Sequence, residues 1–582
     1  MFYWFILEDK FHVELYILLE KKLVPRGTSL IENDEGLKNQ YIMKKNKMVS
    51  GVLYDPVGGL HYGANVLIEN DIIVNIERKD ECFGPLILPG FVDSHVHIES
   101  SMLSPVEFGV AAVRHGTVAV VADPHEVANV AGVEGVKEMM TFAKKSPLKF
   151  FFAIPSCVPA SPFDECFERF DAEKVGGLLD GDSVVGLGEM MNFPGVINRV
   201  PEVMALIKEA NKRGKPIDGH APGLTGDDLK KYVSANISTD HECFTLKEAE
   251  EKIALGMKIL IREGSGARNF NALHSLIDSN PDAAMFCTDD CHPDVLETGH
   301  INLHVKKALK AGHDIFNVLR VASVNPVKHY NLPVGLLQVG DPADFILVDN
   351  LKDFNVLATY IKGVNVLNEK YTFDITSLPE YVFPRSFDSK LLVKKISKQN
   401  LKVIGVIENE LITESLTHNV SDKFLTSNLQ EDILKICVVS RYTQNKSNVA
   451  LIKGFGLKNG AIACSVAHDS HHIICVGCDD NLMQKAIDFI IKNKGGICYC
   501  NADEEIGMPL PLFGLMTTYN VETASKNYKR VNNEVKRNGC KLDAPFMTLA
   551  FMALSVIPHL KITPDSLFDV DKFSPTSIYA GE

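Results

Sequence analysis

The chain has one tryptophan, no unbroken apolar stretch of 18 residues, no run of lysines and arginines, and no internal repeat or low-complexity tract. Each absence removes a class of protein. Without about 18 consecutive apolar residues, a membrane-spanning helix is not expected. The most apolar long stretch, from Phe546 to Ile557, is bracketed by Pro545 and Pro558 and reads as a buried helix. The apolar start, Met1 to Leu7, runs at once into Glu8, Asp9 and Lys10; it has neither the basic n-region nor the small-residue cleavage site of a secretory signal. Sixty Lys and Arg against 74 Asp and Glu leave a formal charge of −14, which argues against a nucleic-acid partner. The 13 cysteines have no regular spacing and read as reduced thiols of a cytoplasmic protein.

What is present is 582 residues, 46% hydrophobic and 23% charged, enough for several domains around large cores. Residues 1–47, aromatic and then charged, read as an N-terminal extension with no assignable role. From 48 to 87, short apolar runs such as Val66-Leu67-Ile68 are separated by the turn signals Gly58-Gly59 and Asn70-Asp71 and read as small β-strands. Residues 331–375 are β-type again, so the two segments can pair into one small domain. Between them, residues 88–330 alternate short apolar strands with helical stretches. Strands at 86–92, 117–122, 149–154, 184–188, 216–219, 237–239, 258–262 and 284–288 make eight β-α units of the α/β class, the count and length of a (β/α)8 TIM barrel. Residues 376–582 form a C-terminal α/β unit, with strands near 460–468 and 473–476 and a helix from Leu482 to Lys492.

The chemistry begins at Pro89-Gly-Phe-Val-Asp-Ser-His95-Val-His97-Ile-Glu-Ser100. Residues i and i+2 of a strand share a face, so His95 and His97 aim two imidazoles at one point. Alone, the pair is as readily coincidence as a clamp. In a (β/α)8 barrel, however, the working residues stand at the C-terminal ends of strands. Those ends carry Asp123-Pro-His125-Glu126, Glu189, His220, His241-Glu242, Arg262 and Asp289-Asp290. His95, His97, His220 and His241 with Glu189 and Asp289 make an imidazole and carboxylate set suited to Zn, Mn or Fe. Asp123, Glu242, Asp290 and Arg262 share the rim as candidate substrate contacts; His125 and Glu126 are candidates for a further ion. In the C-terminal unit, His468-Asp469-Ser470-His471 is a polar cluster at a strand end. Adjacent strand residues alternate in direction, so a lid, a dimer contact or an accessory metal site suits His468, Asp469 and His471 better than a hydrolytic triad.

The motifs also carry a resemblance. PGFVDSHVHIE, the strand-5 and strand-6 histidines and the strand-8 aspartate look like the amidohydrolase superfamily, and the flanking β segments, including GDPADFILVDN, are similar to its small β-sandwich. More narrowly, HIESSMLSP (97–105), ADPHEVANV (122–130), GLGEMMNFPGV (186–196), GHAPGL (219–224), STDHE (238–242), IREGS (261–265), AHDSH (467–471), MPLPLFGLM (508–516) and DAPFMTLAFMAL (543–554) resemble the adenine deaminase family. The likeness runs from about residue 48 to the end.

The resemblance implies two divalent ions, with Mn or Fe ahead of Zn. His95 and His97 would hold the more buried ion, Glu189 would bridge the two, and His220 and His241 would hold the second. Many relatives bridge with a carboxylated strand-4 lysine; this strand has Glu189 and no lysine. Asp289 would bind metal and handle the proton, with Asp290 the alternative. The implied reaction is attack of a metal-bridging hydroxide on C6 of adenine, yielding hypoxanthine and ammonia for purine salvage, in a homodimer or higher homo-oligomer. Alternatives are another amidohydrolase activity, on a different purine or a cyclic amide, and an inactive scaffold on the same fold. Where the family follows AHDSH with Asn, this chain has His472.

Overall fold

Pro89 and Gly90 divide two strands that the sequence reads as one. A computed structural model describes residues 47–581, apart from 82, 374–377, 409 and 421–422; the 1–47 extension lies outside these except for its last residue. Strands β1 (Lys47–Asp55), β2 (Leu60–Glu69), β3 (Ile72–Lys79) and β4 (Leu86–Pro89) belong to a small sheet, and β5 (Phe91–His97) opens the barrel. The break falls at Gly90 because Pro89 has no N–H to give and because a Cβ at Gly90 would lie 2.3 Å from Val118.

The barrel continues through β6 (Thr117–Ala122), β7 (Lys149–Ile154), β8 (Val184–Met190), β9 (Ile217–Gly219), β10 (Thr239–Asp240), β11 (Lys258–Arg262) and β12 (Ala284–Cys287), with β13 (Asp289–Asp290) extending its last strand. All pairings are parallel. Closure comes at two seams, a bridge from Ile217 to Ile237 and the pairing of Asp289 with Val96. Parallel strands covered on both faces read as near-continuous apolar runs, as in Val118-Ala-Val-Val-Ala122, where every side chain is buried.

Strands β14 (Phe345–Val348), β15 (Val356–Ile361) and β16 (Val364–Asn365) return to β1–β4 and make one seven-stranded sheet in the order β16-β15-β14-β4-β1-β2-β3. The C-terminal part is an eight-stranded sheet built from β17 (Asn400–Val406), β18 (Thr413–Asn419), β19 (Ile433–Val439), β20 (Ser447–Lys453), β21 (Ala461–Cys464), β22 (Ile473–Gly477), β23 (Gly496–Cys500) and β24 (Glu505–Pro509), in the order β18-β17-β20-β19-β22-β21-β23-β24. Helix Asp480–Lys492 packs Met483, Ala486, Ile487 and Ile490 on one face of it. Helix Val521–Arg537 and the barrel cover the other. Around Phe546 the chain forms a short buried helix, Pro545–Ala550, that stops well before Pro558. No helix among the described residues is long and apolar enough to cross a membrane.

Three connections seat this C-terminal part over the mouth of the barrel. Thr517 donates its N–H to the Met102 carbonyl at 2.8 Å, beyond the end of β5. The Tyr442 hydroxyl reaches the Asn129 carbonyl at 3.2 Å, beyond β6. Tyr528 meets His292 Nδ1 at 2.8 Å, beyond β13. The strand ends that carry the histidines are therefore roofed.

Candidate metal centre

The alternation of β5 does what the sequence spacing requires. His95 and His97 share a face, and their Nε2 atoms stand 3.2 Å apart. Asp289 Oδ1 lies 3.4 Å from His95 Nε2 and 2.9 Å from His97 Nε2. Asp289 adopts φ +55°, a left-handed conformation that a side chain resists, and this turns its carboxylate onto the histidines. Asp290 points elsewhere: its carboxylate accepts from the Ser100 hydroxyl. Only the first of the two aspartates meets the histidines.

Glu189, at the end of β8, spans the site. Its Oε1 is 3.2 Å from His97 Nε2 and 3.8 Å from His95 Nε2, while its Oε2 is 2.6 Å from His220 Nδ1 and 3.3 Å from His241 Nε2. One carboxylate thus faces both histidine pairs, which is the disposition of a bridging ligand. All six side chains are buried except His220, 27% exposed, so solvent approaches from the β9 side. The donor set, four imidazoles and two carboxylates aimed inward, fits divalent metal. His97 also has its outer Nδ1 against the Asp123 carbonyl at 2.9 Å, which leaves Nε2 free for the centre.

Burial pushes His97 down and His125 beside it does the same, but the hydrogen bonds from Asp289 and Glu189 prevail and hold its pKa well above the ordinary value. Burial favours neutral Glu189, yet His220, His241 and His97 hold its pKa well below the carboxylate range. Asp289 is likewise raised by burial and pulled further down by Arg262, His95 and His97.

The remaining sequence candidates separate. Glu242 joins the rim, its Oε1 3.5 Å from His241 Nε2 and 2.5 Å from Arg262. Arg262 contacts no open space; its guanidinium is clamped between Glu242 and Asp289, with Nε on the Ala267 carbonyl at 2.8 Å. Asp123 accepts the Glu189 N–H through Oδ2 at 3.0 Å, so it fixes the strand that carries the bridge. His125, Glu126, His468, Asp469 and His471 form a buried cluster on the β6 side that adjoins the centre through His125, which also groups with His97 and Glu189. His472 is buried and accepts the Arg441 N–H through Nδ1 at 3.2 Å.

Several buried aspartates, to which the strand ends alone assign no role, brace the strands that carry the histidines. Asp93 accepts the Thr288 N–H at 3.1 Å and lies 3.1 Å from His300 Nε2, tying β5 to the strand that presents Asp289. Asp218 takes the Tyr330 hydroxyl and the Thr239 hydroxyl, each at 2.8 Å, and so joins β9 to β10. Asp240 is paired with buried Lys252 at 2.6 Å. The signal was present: Asp93 and Asp218 each precede a histidine by two residues, at strand positions where an apolar strand would carry a Val.

Residues 86–366 match the Amidohydrolase family, and residues 410–574 match the Adenine deaminase C-terminal domain. The chain is 48% identical over 554 residues to the adenine deaminase of Methanosarcina mazei, a match covering 92% of this chain and 100% of that protein. It is 46% identical over 525 residues to the adenine deaminase of Borreliella burgdorferi, covering 88% of this chain and 96% of that one. With the barrel, the roofing sheet and full-length likeness in agreement, the chain belongs to the adenine deaminase family of metal-dependent amidohydrolases.

Proposed function

We propose that this chain deaminates adenine to hypoxanthine with two divalent ions held by His95, His97, Glu189, His220, His241 and Asp289. The observation that carries the reading is the Glu189 carboxylate, one oxygen toward His97 and the other toward His220 and His241. Bound divalent metal lowers the pKa of water and so supplies a nucleophile near neutral pH. The four imidazoles suit Fe and Zn, and the two carboxylates suit Mn.

In the reaction a water oxygen bonds to C6, the C6–N bond breaks, and the amine leaves as ammonia. The exocyclic amine departs only when protonated. Asp289, buried and held ionised beside Arg262, takes a proton from the attacking water and returns it to the leaving nitrogen. Such help is typically worth about 10²–10⁴ in rate. Arg262 acts through Asp289 and Glu242, holding both carboxylates in place. Glu242, with one oxygen engaged by Arg262, keeps the other for a ring N–H of the purine. A cytoplasmic setting is consistent with the described cysteines, all free thiols.

The test is ammonia release from adenine, adenosine, guanine and cytosine by Mn-loaded protein. Adenine is the expected substrate; turnover of adenosine with none of adenine would overturn the reading. Asp289→Asn should lose about 10²-fold or more in kcat, and full activity in that variant would remove the proton role.

A further inference from the structure

Beside the centre lies a second buried cluster that the reaction does not use. His125 opens the helix that follows β6, and Glu126 is the next residue; Asp469 comes from the segment between β21 and β22 of the roofing sheet. His125 Nε2 stands 3.4 Å from Glu126 Oε1 and 3.5 Å from Asp469 Oδ1. Glu126 in turn meets His468 Nδ1 and His471 Nε2. All five side chains are at most 7% exposed.

The spacing is that of ligands around an ion. Bonds of about 2.0–2.1 Å in a tetrahedral site separate neighbouring ligand atoms by about 3.3–3.4 Å. A second observation concerns Asp469. Among the described residues its Oδ2 has no hydrogen-bond partner, although the residue is only 5% exposed. Buried carboxylate oxygens are seldom left this way, since desolvation is recovered only by hydrogen bonds or coordination. The third observation is charge. Glu126 and Asp469 are two buried carboxylates, and among the described residues the groups facing them are the imidazoles of His125, His468 and His471, with no lysine or arginine.

We propose that His125 Nε2, Glu126 and Asp469 hold a third divalent transition-metal ion, distinct from the dinuclear pair, that fastens the roofing sheet to the barrel. His468 meets Glu126 at Oε1, the oxygen nearest His125, and His471 meets it at Oε2, so the two imidazoles fix the orientation of that carboxylate. The ion acts on the centre through one ring. His125 Nδ1 faces Glu189 Oε1 at 3.5 Å and Asp123 Oδ1 at 3.7 Å. Coordination at Nε2 places the ring proton on Nδ1, aimed at the carboxylate that spans the centre. Docking of the C-terminal part and the orientation of Glu189 thereby share one ligand.

The experiment is metal counting on the full chain, stripped by chelator, saturated with Mn²⁺ and freed of excess, together with anomalous diffraction from Mn-loaded crystals. The wild type is expected to hold three ions, with a peak enclosed by His125, Glu126 and Asp469. Asp469→Asn should hold two, and it should melt lower than wild type in Mn²⁺ but level with it in chelator. A wild-type count of two with no peak at that place overturns the proposal, leaving an ion-free imidazolium–carboxylate network. Three ions in folded Asp469→Asn overturn it too. If that variant does not fold, the wild-type count and map decide alone. Neither readout depends on the substrate, so failure here is separable from failure of the deaminase reading.

Discussion

Arg262 sits buried between two carboxylates, where weak screening strengthens the action of its charge on both. Arg262→Met should lower kcat by roughly 10²-fold, the scale of lost acid–base help, while the bound-metal count stays unchanged. Loss of metal in that variant would make the residue a structural brace only. Lys561 makes a different kind of statement. Its ammonium is fully buried with one hydrogen bond, to the Leu411 carbonyl at 2.9 Å, and burial pushes its pKa from 10.5 down to about 7. Between those two values the unfolded chain binds a proton that the folded chain refuses, so stability rises with pH across that window. Lys561→Met should raise Tm at pH 7 and flatten the rise toward pH 10. Melting curves of both proteins across that range check it, and an unchanged slope would refute it.

At the scale of the strand, the centre depends on close backbone approaches as much as on its ligands. A Cβ at Gly188 would lie 2.1 Å from Asp123 Oδ2, the atom that accepts the Glu189 N–H. Gly188→Ala should therefore cost about 1–3 kcal/mol in overpacking and weaken Mn²⁺ binding about tenfold, measured by titration of the stripped protein. The alternation of β5 made His95 and His97 legible, because a two-residue period needs no tertiary information. The same period also carries Asp93, which passed unnoticed because its partners, Thr288 and His300, are about 200 residues away in the chain. Asp289 and Asp290 were not separable in advance. Adjacent residues differ only in where the backbone turns them, and the left-handed φ of Asp289 is set by the pairing of β13 with β5. The first barrel strand was misplaced for a related reason. Leu86-Ile-Leu-Pro89 and Phe91-Val92 are one apolar run in sequence, yet Val348 and Leu86 pair in one sheet while Phe91 and Thr117 pair in another.

Across the whole molecule, one continuous apolar core runs from Val92 of the barrel to Leu567 near the C-terminus, without a seam between barrel and roofing sheet. The two parts are expected to unfold together. Calorimetry of the metal-loaded chain should show one transition for both, and two separated transitions would contradict it. Chelation should lower that transition by several degrees, since ligand at 1,000 times its dissociation constant stabilises a fold by about 4 kcal/mol. What the sequence determined by itself was local and periodic: eight strand and helix units, a His-x-His pair on one face, and acid and imidazole side chains at strand ends. These follow from side-chain direction along a strand, a property of neighbouring residues. Only the tertiary structure decided that one Glu189 carboxylate faces both histidine pairs, which aspartate faces the histidines, and that His125 stands between two clusters. Those outcomes depend on Glu189, Asp289 and Asp469 arriving from elements far apart in the chain, and closure of the barrel and seating of the roof bring them within a few ångströms.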